Sequence, residues 1–415
     1  AGQRGGQQAL ERASKECLRV GGASGLWRQA EHCPMWARRL ESVRVGAGLV
    51  SGNSPQLGKL LHAGAARIVG GGLPGSSAAA GSRFLNYRHG FHAGNFADCF
   101  KHTMLLAVLK GMRRKDKPMF IMDTHAGPGR YDLESSEARR GDEAEDGISK
   151  VIKAAAAQDP ARVPDLIKEY LAIIDEVNPD GGHRVYPGSP MIIARGMRPG
   201  DRSALCELHP EEAMRLKGLV KELAFPKVRV VPRVNGFESW MSFTPPPEKR
   251  GLVLCDPPYE DADEGETVLD KIKQGNKRWN TGTFMIWYPI KEARWEARWE
   301  NAVRQLGIPK ILACKLVVRE PTKPGGKGLN GCGLIIVNPP YMLHRDIEEA
   351  LVWLTKALER SNEPARSRCW WLTPERKAPT KSRSEEESSI NIEDEILAYN
   401  AENGGGDGEG GGYEG

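Results

Sequence analysis

The chain has 415 residues, 40% of them hydrophobic and 27% charged, enough for one large folded unit or two ordinary ones, each with a real core. No stretch reaches the roughly 18 consecutive apolar residues that a membrane span requires, so a spanning segment is excluded. The formal charge of +5 permits a polyanionic partner without demanding one.

In chain order, residues 1–83 are rich in Ala, Gly, Ser and Arg and poor in acids, with no helical or alternating apolar pattern. They read as an appendage. Such a composition suits an organelle transit peptide, which places the protein in a chloroplast or mitochondrion. The alternative is a disordered extension on a cytoplasmic protein. Within residues 86–102, Asn95 is a natural N-cap, with Asp98 three residues on and an apolar helical face of Phe96, Phe100, Met104 and Val108.

Short β-rich runs then alternate with helical segments, the pattern of a parallel sheet covered on both faces. The predicted strands are 119–123, 204–207, 228–231, 251–256, 283–288, 311–318 and 333–338, the last one antiparallel after a Gly/Pro-rich loop. Residues 133–186 are too long for one crossover helix, and their periodicity predicts a small helical insert. The doubled ARWE at 293–300 puts Trp295 and Trp299 one turn apart as a packing stripe. Residues 376–415 form an acidic, Gly-rich tail, disordered apart from a short helix near 390–399. Eight cysteines (Cys17, Cys33, Cys99, Cys206, Cys255, Cys314, Cys332, Cys369) include no C-x-x-C pair, and read as reduced, mostly buried thiols.

Three strand ends carry the chemistry. The first runs from an apolar strand through Asp123, His125 and the glycines 127 and 129; glycine there lets a nucleoside approach the backbone closely. The dinucleotide spacing G-x-G-x-x-G is absent. The second places Glu207 where a carboxylate can accept hydrogen bonds from both ribose hydroxyls, or simply be solvated. Asn235-Gly236 suits an adenine edge, though turn chemistry explains the pair equally well.

The third strand end, GLVLCDPPY, delivers Asp256, Pro257 and Tyr259 into one loop. An exocyclic aromatic amine is a poor nucleophile because its lone pair is delocalised into the ring. Two acceptors, the Asp256 carboxylate and the Pro257 carbonyl, can take its N–H groups and concentrate electron density on nitrogen. Proline fixes its own φ and brings no competing N–H. Tyr259 offers a face on which an unstacked base can lie. Four of the nine histidines (His89, His92, His102, His125) cluster between residues 89 and 125. Their spacing lacks an H-x-x-x-H pair with a partner carboxylate, so polar contacts are favoured over a metal.

Together the strings YRHGFHAGNFADCFKH, DTHAGPGRY, YPGSP, ELHP, NGF, GLVLCDPPYE and IIVNPP resemble, in that order, the family of ribosomal large subunit methyltransferase J. The resemblance covers about residues 84–375. It implies an α/β class I S-adenosylmethionine-dependent methyltransferase, a Rossmann-like seven-stranded sheet with a small helical insertion, acting on N6 of an unpaired adenine in 23S-type large-subunit rRNA. It further implies cofactor contacts at Lys101, His102, His125, Gly127, Ser189, Glu207, Asn235, Gly236 and Asp256, and substrate contacts at Tyr87, His89 and Tyr259. The family commonly has Asp-Gly where Asn235-Gly236 stands. The partners expected are rRNA and S-adenosyl-L-methionine, with no metal and no membrane, for a monomer. The same chemistry on DNA, or a ribosome-assembly factor that has lost catalysis, are the rival readings. Arg319, Lys323, Lys327 and the run 271–278 could meet phosphates, or be solvated loop charge.

Overall fold

A computed structural model of the chain describes residues 88–225, 227–320, 328–360 and 364–375. The predicted appendage, the acidic tail, Tyr87, Lys323, Lys327, Cys17 and Cys33 lie outside the described residues.

The strands are β1 (Phe120–Asp123), β2 (Arg130–Asp132), β3 (Val185–Pro187), β4 (Arg202–Glu207), β5 (Val228–Pro232), β6 (Gly251–Cys255), β7 (Thr283–Ile290), β8 (Ile311–Val317), β9 (Gly331–Val337) and β10 (Arg366–Thr373). The helices are α1 (Phe96–Arg113), α2 (Ser136–Gly141), α3 (Ile148–Ala156), α4 (Asp165–Val177), α5 (Ser189–Gly196), α6 (Pro210–Glu222), α7 (Gly236–Phe243), α8 (Glu264–Arg278), α9 (Ala293–Gln305) and α10 (Leu343–Ala357).

Eight strands form one sheet in the order β10-β8-β9-β7-β6-β1-β4-β5. β1, β4, β5, β6 and β7 are parallel, whereas β9 runs antiparallel to both β7 and β8. Every residue of β1 and β6 is buried, as expected of strands covered on both faces. All seven predicted strands are present, with ends within two residues of expectation, and the predicted antiparallel strand is β9.

The sheet departs from the seven-strand expectation by one element, since β10 pairs antiparallel with β8 at the edge. Its sequence RSRCWWLT alternates exposed Arg366 and Arg368 with half-buried neighbours, and the charged positions guard an open edge.

The predicted insert comprises α2, α3, α4 and a 3-10 turn at Pro160–Arg162. A two-stranded ribbon closes its base, with Tyr131 opposite Tyr186. Ile148, Val151, Ile167 and Tyr170 share one core with α1 and the sheet, so the insert has no separate core of its own. Asn95 caps α1 as predicted, its side chain accepting from the Asp98 amide. The helix is buried nearly all round rather than on one face, because α4, α5 and α10 also pack on it. Trp295 and Trp299 stack with centroids 5.7 Å apart and planes 7° from parallel. Cys99, Cys206, Cys255, Cys314 and Cys332 are buried free thiols, and Cys369 is half-buried.

Candidate active site

The carboxyl ends of β1, β4 and β6 open into a cavity of about 730 Å³. Open α/β sheets place ligands at this edge because successive strands release their connections there to opposite faces. After β1 the chain turns through Gly127 (φ 63°) and Gly129 (φ 85°). The positive φ of Gly127 favours glycine, and a Cβ there would lie 2.4 Å from the Tyr131 hydroxyl oxygen and displace that side chain. The Gly127 amide donates to Glu207 Oε2 at 2.8 Å, and the His209 amide to Oε1 at 2.6 Å. Burial pushes the Glu207 carboxyl up, and these two N–H groups pull it part of the way back. It lines the cavity as an acceptor for hydroxyl donors.

Asn235 also lines the cavity, but its Oδ1 caps α7, accepting from the Phe237 amide at 2.8 Å and the Glu238 amide at 3.4 Å. Helix capping is thus a role that the cofactor expectation did not include. A Cβ on Gly236 would sit 2.0 Å from the Thr124 carbonyl oxygen; the α7 turn and the β1 turn touch backbone to backbone.

Asp256 leaves β6 into the cavity and accepts from Lys101 Nζ at 2.5 Å. The same ammonium lies 3.0 Å from Asp98 Oδ1. Asp98 in turn meets His89 Nε2 at 2.9 Å and accepts from the Gly94 amide at 3.0 Å. Burial would raise the Asp98 carboxyl, but His89 and Lys101 outweigh it and hold the group well below the ordinary carboxylate range. Lys101 is lowered by burial and lifted further by Asp256 and Asp98, for a net upward shift. Burial also pushes His102 down to about 3 and His125 down to about 4, so both rings are neutral near pH 7. His125 Nδ1 lies 2.7 Å from the Thr124 hydroxyl.

Ser189, the first residue of α5, donates to Asp123 Oδ2 at 2.6 Å, and the His125 amide donates to Oδ1 at 3.1 Å. Burial pushes Asp123 up to about 7 against these bonds. An ordinary Asp titrates near 3.8, so folding takes up a proton between the two values, and stability falls as pH rises through that window. At about 1.4 kcal/mol per unit the loss approaches about 4 kcal/mol by pH 8. Asp123→Asn should therefore gain stability over the native chain progressively from pH 4 to pH 8 in urea unfolding; a difference independent of pH would refute a raised Asp123.

The cavity unites His89, Lys101, His102, His125, Gly127, Ser189, Glu207, Asn235, Gly236, Asp256 and Pro257. Tyr259 is the exception. Its hydroxyl donates to the Trp287 carbonyl at 2.9 Å, and its ring packs against Trp287, Trp295 and Trp299 with centroids 6.0, 5.9 and 6.3 Å away. At φ 52° the loop turns this side chain away from the lining, where Pro258 and Trp287 stand instead. In this conformation the Tyr259 ring packs behind the loop and does not present the expected stacking face to the cavity.

Asp98, Tyr186 and Trp287 join the site without any motif that marks them for it. A second string, Asn338-Pro-Pro-Tyr341, resembles the D-P-P-Y loop. Because β9 is antiparallel, it emerges at the opposite sheet edge, with Tyr341 80% exposed. Among the described residues no His, Cys, Asp or Glu group of three or more is arranged to hold a metal, and no helix is long and apolar enough to cross a membrane.

A nucleoside cofactor fits this cleft, because Glu207 is a largely buried carboxylate with backbone donors on its two oxygens and lone pairs left for a ribose diol. Parallel strand order, a Gly turn after β1, an acid at the end of β4 and a D-P-P-Y loop after β6 define a class I S-adenosylmethionine-dependent methyltransferase.

Residues 116–373 match the sequence model of a family described as ribosomal RNA large subunit methyltransferase D, RlmJ. Two relatives named ribosomal RNA large subunit methyltransferase J come from Haemophilus influenzae, 38% identical over 295 residues, and Escherichia coli, 34% identical over 291 residues. Each match covers 70% of this chain and 100% of the relative. A crystal structure of a Legionella pneumophila protein superimposes with a TM-score of 0.60 at 33% identity, covering 68% of this chain and 98% of that one. The chain belongs to the ribosomal RNA large subunit methyltransferase J family.

Proposed function

We propose that this enzyme methylates the N6 amine of an unpaired adenine in 23S-type large-subunit rRNA. The observation that carries the reading is the Asp256 carboxylate, placed in the cleft beside Pro257 and fixed in orientation by Lys101. Bound S-adenosylmethionine supplies an electrophilic methyl group on a sulfonium. Glu207 would hold the ribose, with His102 and His125 as neutral polar contacts. Asp256 and the Pro257 carbonyl would accept the two N–H groups of the amine, favouring a pyramidal nitrogen whose lone pair can take the methyl in line while the sulfur keeps the electron pair of the broken C–S bond and leaves as the neutral thioether; the nitrogen then sheds one N–H proton to solvent.

A paired adenine cannot present N6 to the methyl group, so the base must be unstacked into the cleft. Pro258 and Trp287 supply an apolar wall for it there. RNA is favoured over DNA by the family, and the 2′-hydroxyl is the group that would tell them apart. Arg-rich, acid-poor residues 1–83 support an organellar ribosome as the target.

Single-turnover assays on RNA and DNA hairpins of matched sequence, with mass spectrometry of the product nucleoside, should give N6-methyladenine from RNA. Preferential methylation of DNA, or methyl on another atom, would overturn the substrate assignment. Mapping the mark in cytosolic and organellar rRNA with and without the protein tests the compartment.

A further inference from the structure

Tyr170 of α4 and Tyr186 of β3 lie behind the cleft, and no step of the proposed transfer uses them. Both are fully buried. The Tyr186 hydroxyl is 2.9 Å from His102 Nδ1 and 2.9 Å from the Tyr170 hydroxyl, and its ring stacks on the imidazole with centroids 5.6 Å apart. His102 lines the cleft, so with Nδ1 engaged, Nε2 is the nitrogen left to meet a bound molecule.

Burial pushes His102 down to about 3 and lifts both tyrosines well above their ordinary value, which leaves all three groups uncharged near neutral pH. A neutral imidazole carries one proton, and the partner of one nitrogen decides which nitrogen holds it. Two polarities of the chain are conceivable. A phenolic O–H is a stronger acid than a neutral imidazole N–H, and an imidazole nitrogen is a stronger acceptor than a phenol oxygen. The favoured direction therefore runs from Tyr170 to Tyr186 to His102 Nδ1. Accepting from Tyr170 also makes the Tyr186 hydroxyl a better donor.

We propose that Tyr186, backed by Tyr170, is a positioning residue that fixes His102 as its Nε2–H tautomer, so that the ring offers a neutral N–H donor to an acceptor on the cofactor. The strongest such acceptor is the carboxylate of the cofactor's amino-acid moiety. This rests on reading the cleft as the S-adenosylmethionine site. It gives the insertion, which supplies both tyrosines, a direct hold on cofactor affinity.

The first test needs no variant. In the 15N-histidine spectrum of the native protein with S-adenosylmethionine bound, His102 should show an unprotonated Nδ1 and a protonated Nε2; the reverse pattern overturns the proposal. Tyr186→Phe should weaken S-adenosylmethionine binding about tenfold, with a smaller change in kcat at saturation. With decarboxylated S-adenosylmethionine that penalty should largely vanish. A purely structural role would weaken both ligands equally, and that outcome also overturns the proposal. Should Tyr186→Phe fail to fold, Tyr170→Phe leaves Tyr186 in place, and the same ligand dependence is expected at about two- to threefold. Failure of the native protein to bind S-adenosylmethionine would remove the cofactor reading and the proposal together, whereas normal binding with the opposite tautomer removes the proposal alone.

Discussion

Asp256→Ala should lower the single-turnover rate of methyl transfer by about a thousandfold, the scale on which one preorganised polar group aimed at a developing charge acts. The substitution removes the one carboxylate of the D-P-P-Y loop that lies in the cleft, while the Pro257 carbonyl remains. Cofactor affinity should change far less, because Glu207, His102 and His125 stand elsewhere around the cavity. The fold should survive as well, since Lys101 keeps Asp98 at 3.0 Å when its other partner is lost. Asp256→Asn keeps an acceptor oxygen without the charge, and should fall between the native enzyme and the alanine variant. Rapid-quench rates and calorimetric cofactor binding read the two effects separately. A rate for Asp256→Ala within tenfold of the native value would remove Asp256 from the chemistry.

The central strands β1 and β6 were legible because strands buried on both faces are written as nearly continuous apolar runs, as in residues 120–122 and Gly251–Cys255. β10 was not, since an edge strand that alternates arginine with serine and cysteine reads as an exposed segment until β8 supplies its partner. The ribbon of β2 and β3 was hidden for a related reason. Each strand has three residues, and the pairing of Tyr131 with Tyr186 spans the whole insert, so no local window contains it.

The site divides along the same line. Glu207, Gly127 and Asp256 sit at strand ends where a short motif fixes both the residue and its direction, and the fold brings all three to the cavity lining. Side-chain direction after a turn is another matter: nothing in D-P-P-Y states that Tyr259 adopts φ 52° and turns into a tryptophan cluster contributed by β7 and α9. The Asp98–Lys101–Asp256 network was equally hidden. Asp98 and Lys101 share one helical turn and are visible as a pair, but the third member comes from a loop after β6 and meets them only in the fold.

That network makes Lys101 the residue whose loss should damage stability and activity together. The residue is 5% exposed, and its ammonium serves both carboxylates. Lys101→Met preserves most of the volume and leaves Asp98 and Asp256 without their shared cation, with His89 as the nearby basic group on Asp98. Removing one partner from a buried charge cluster typically costs about 3–5 kcal/mol, and that deficit is expected at pH 7. Asp98 lies below its unfolded value in the native protein, so its contribution is present above that value and is lost as pH falls through the lower folded one. Lys101 is raised, so its contribution is full below its unfolded value and is lost only as pH rises through the higher folded one. The native network is therefore intact across the neutral range. In Lys101→Met the buried Asp98 carboxylate loses part of the attraction that held it low, so burial lifts it and protonation relieves its uncompensated charge. The stability deficit should accordingly shrink as pH is lowered from 7 to 5, even as methyl transfer stays impaired because Asp256 has lost the contact that orients it. Denaturant unfolding across that pH range, paired with single-turnover rates, reads both; a deficit under about 1 kcal/mol, the scale of an exposed ion pair, would mean that Lys101 is not the shared counterion described.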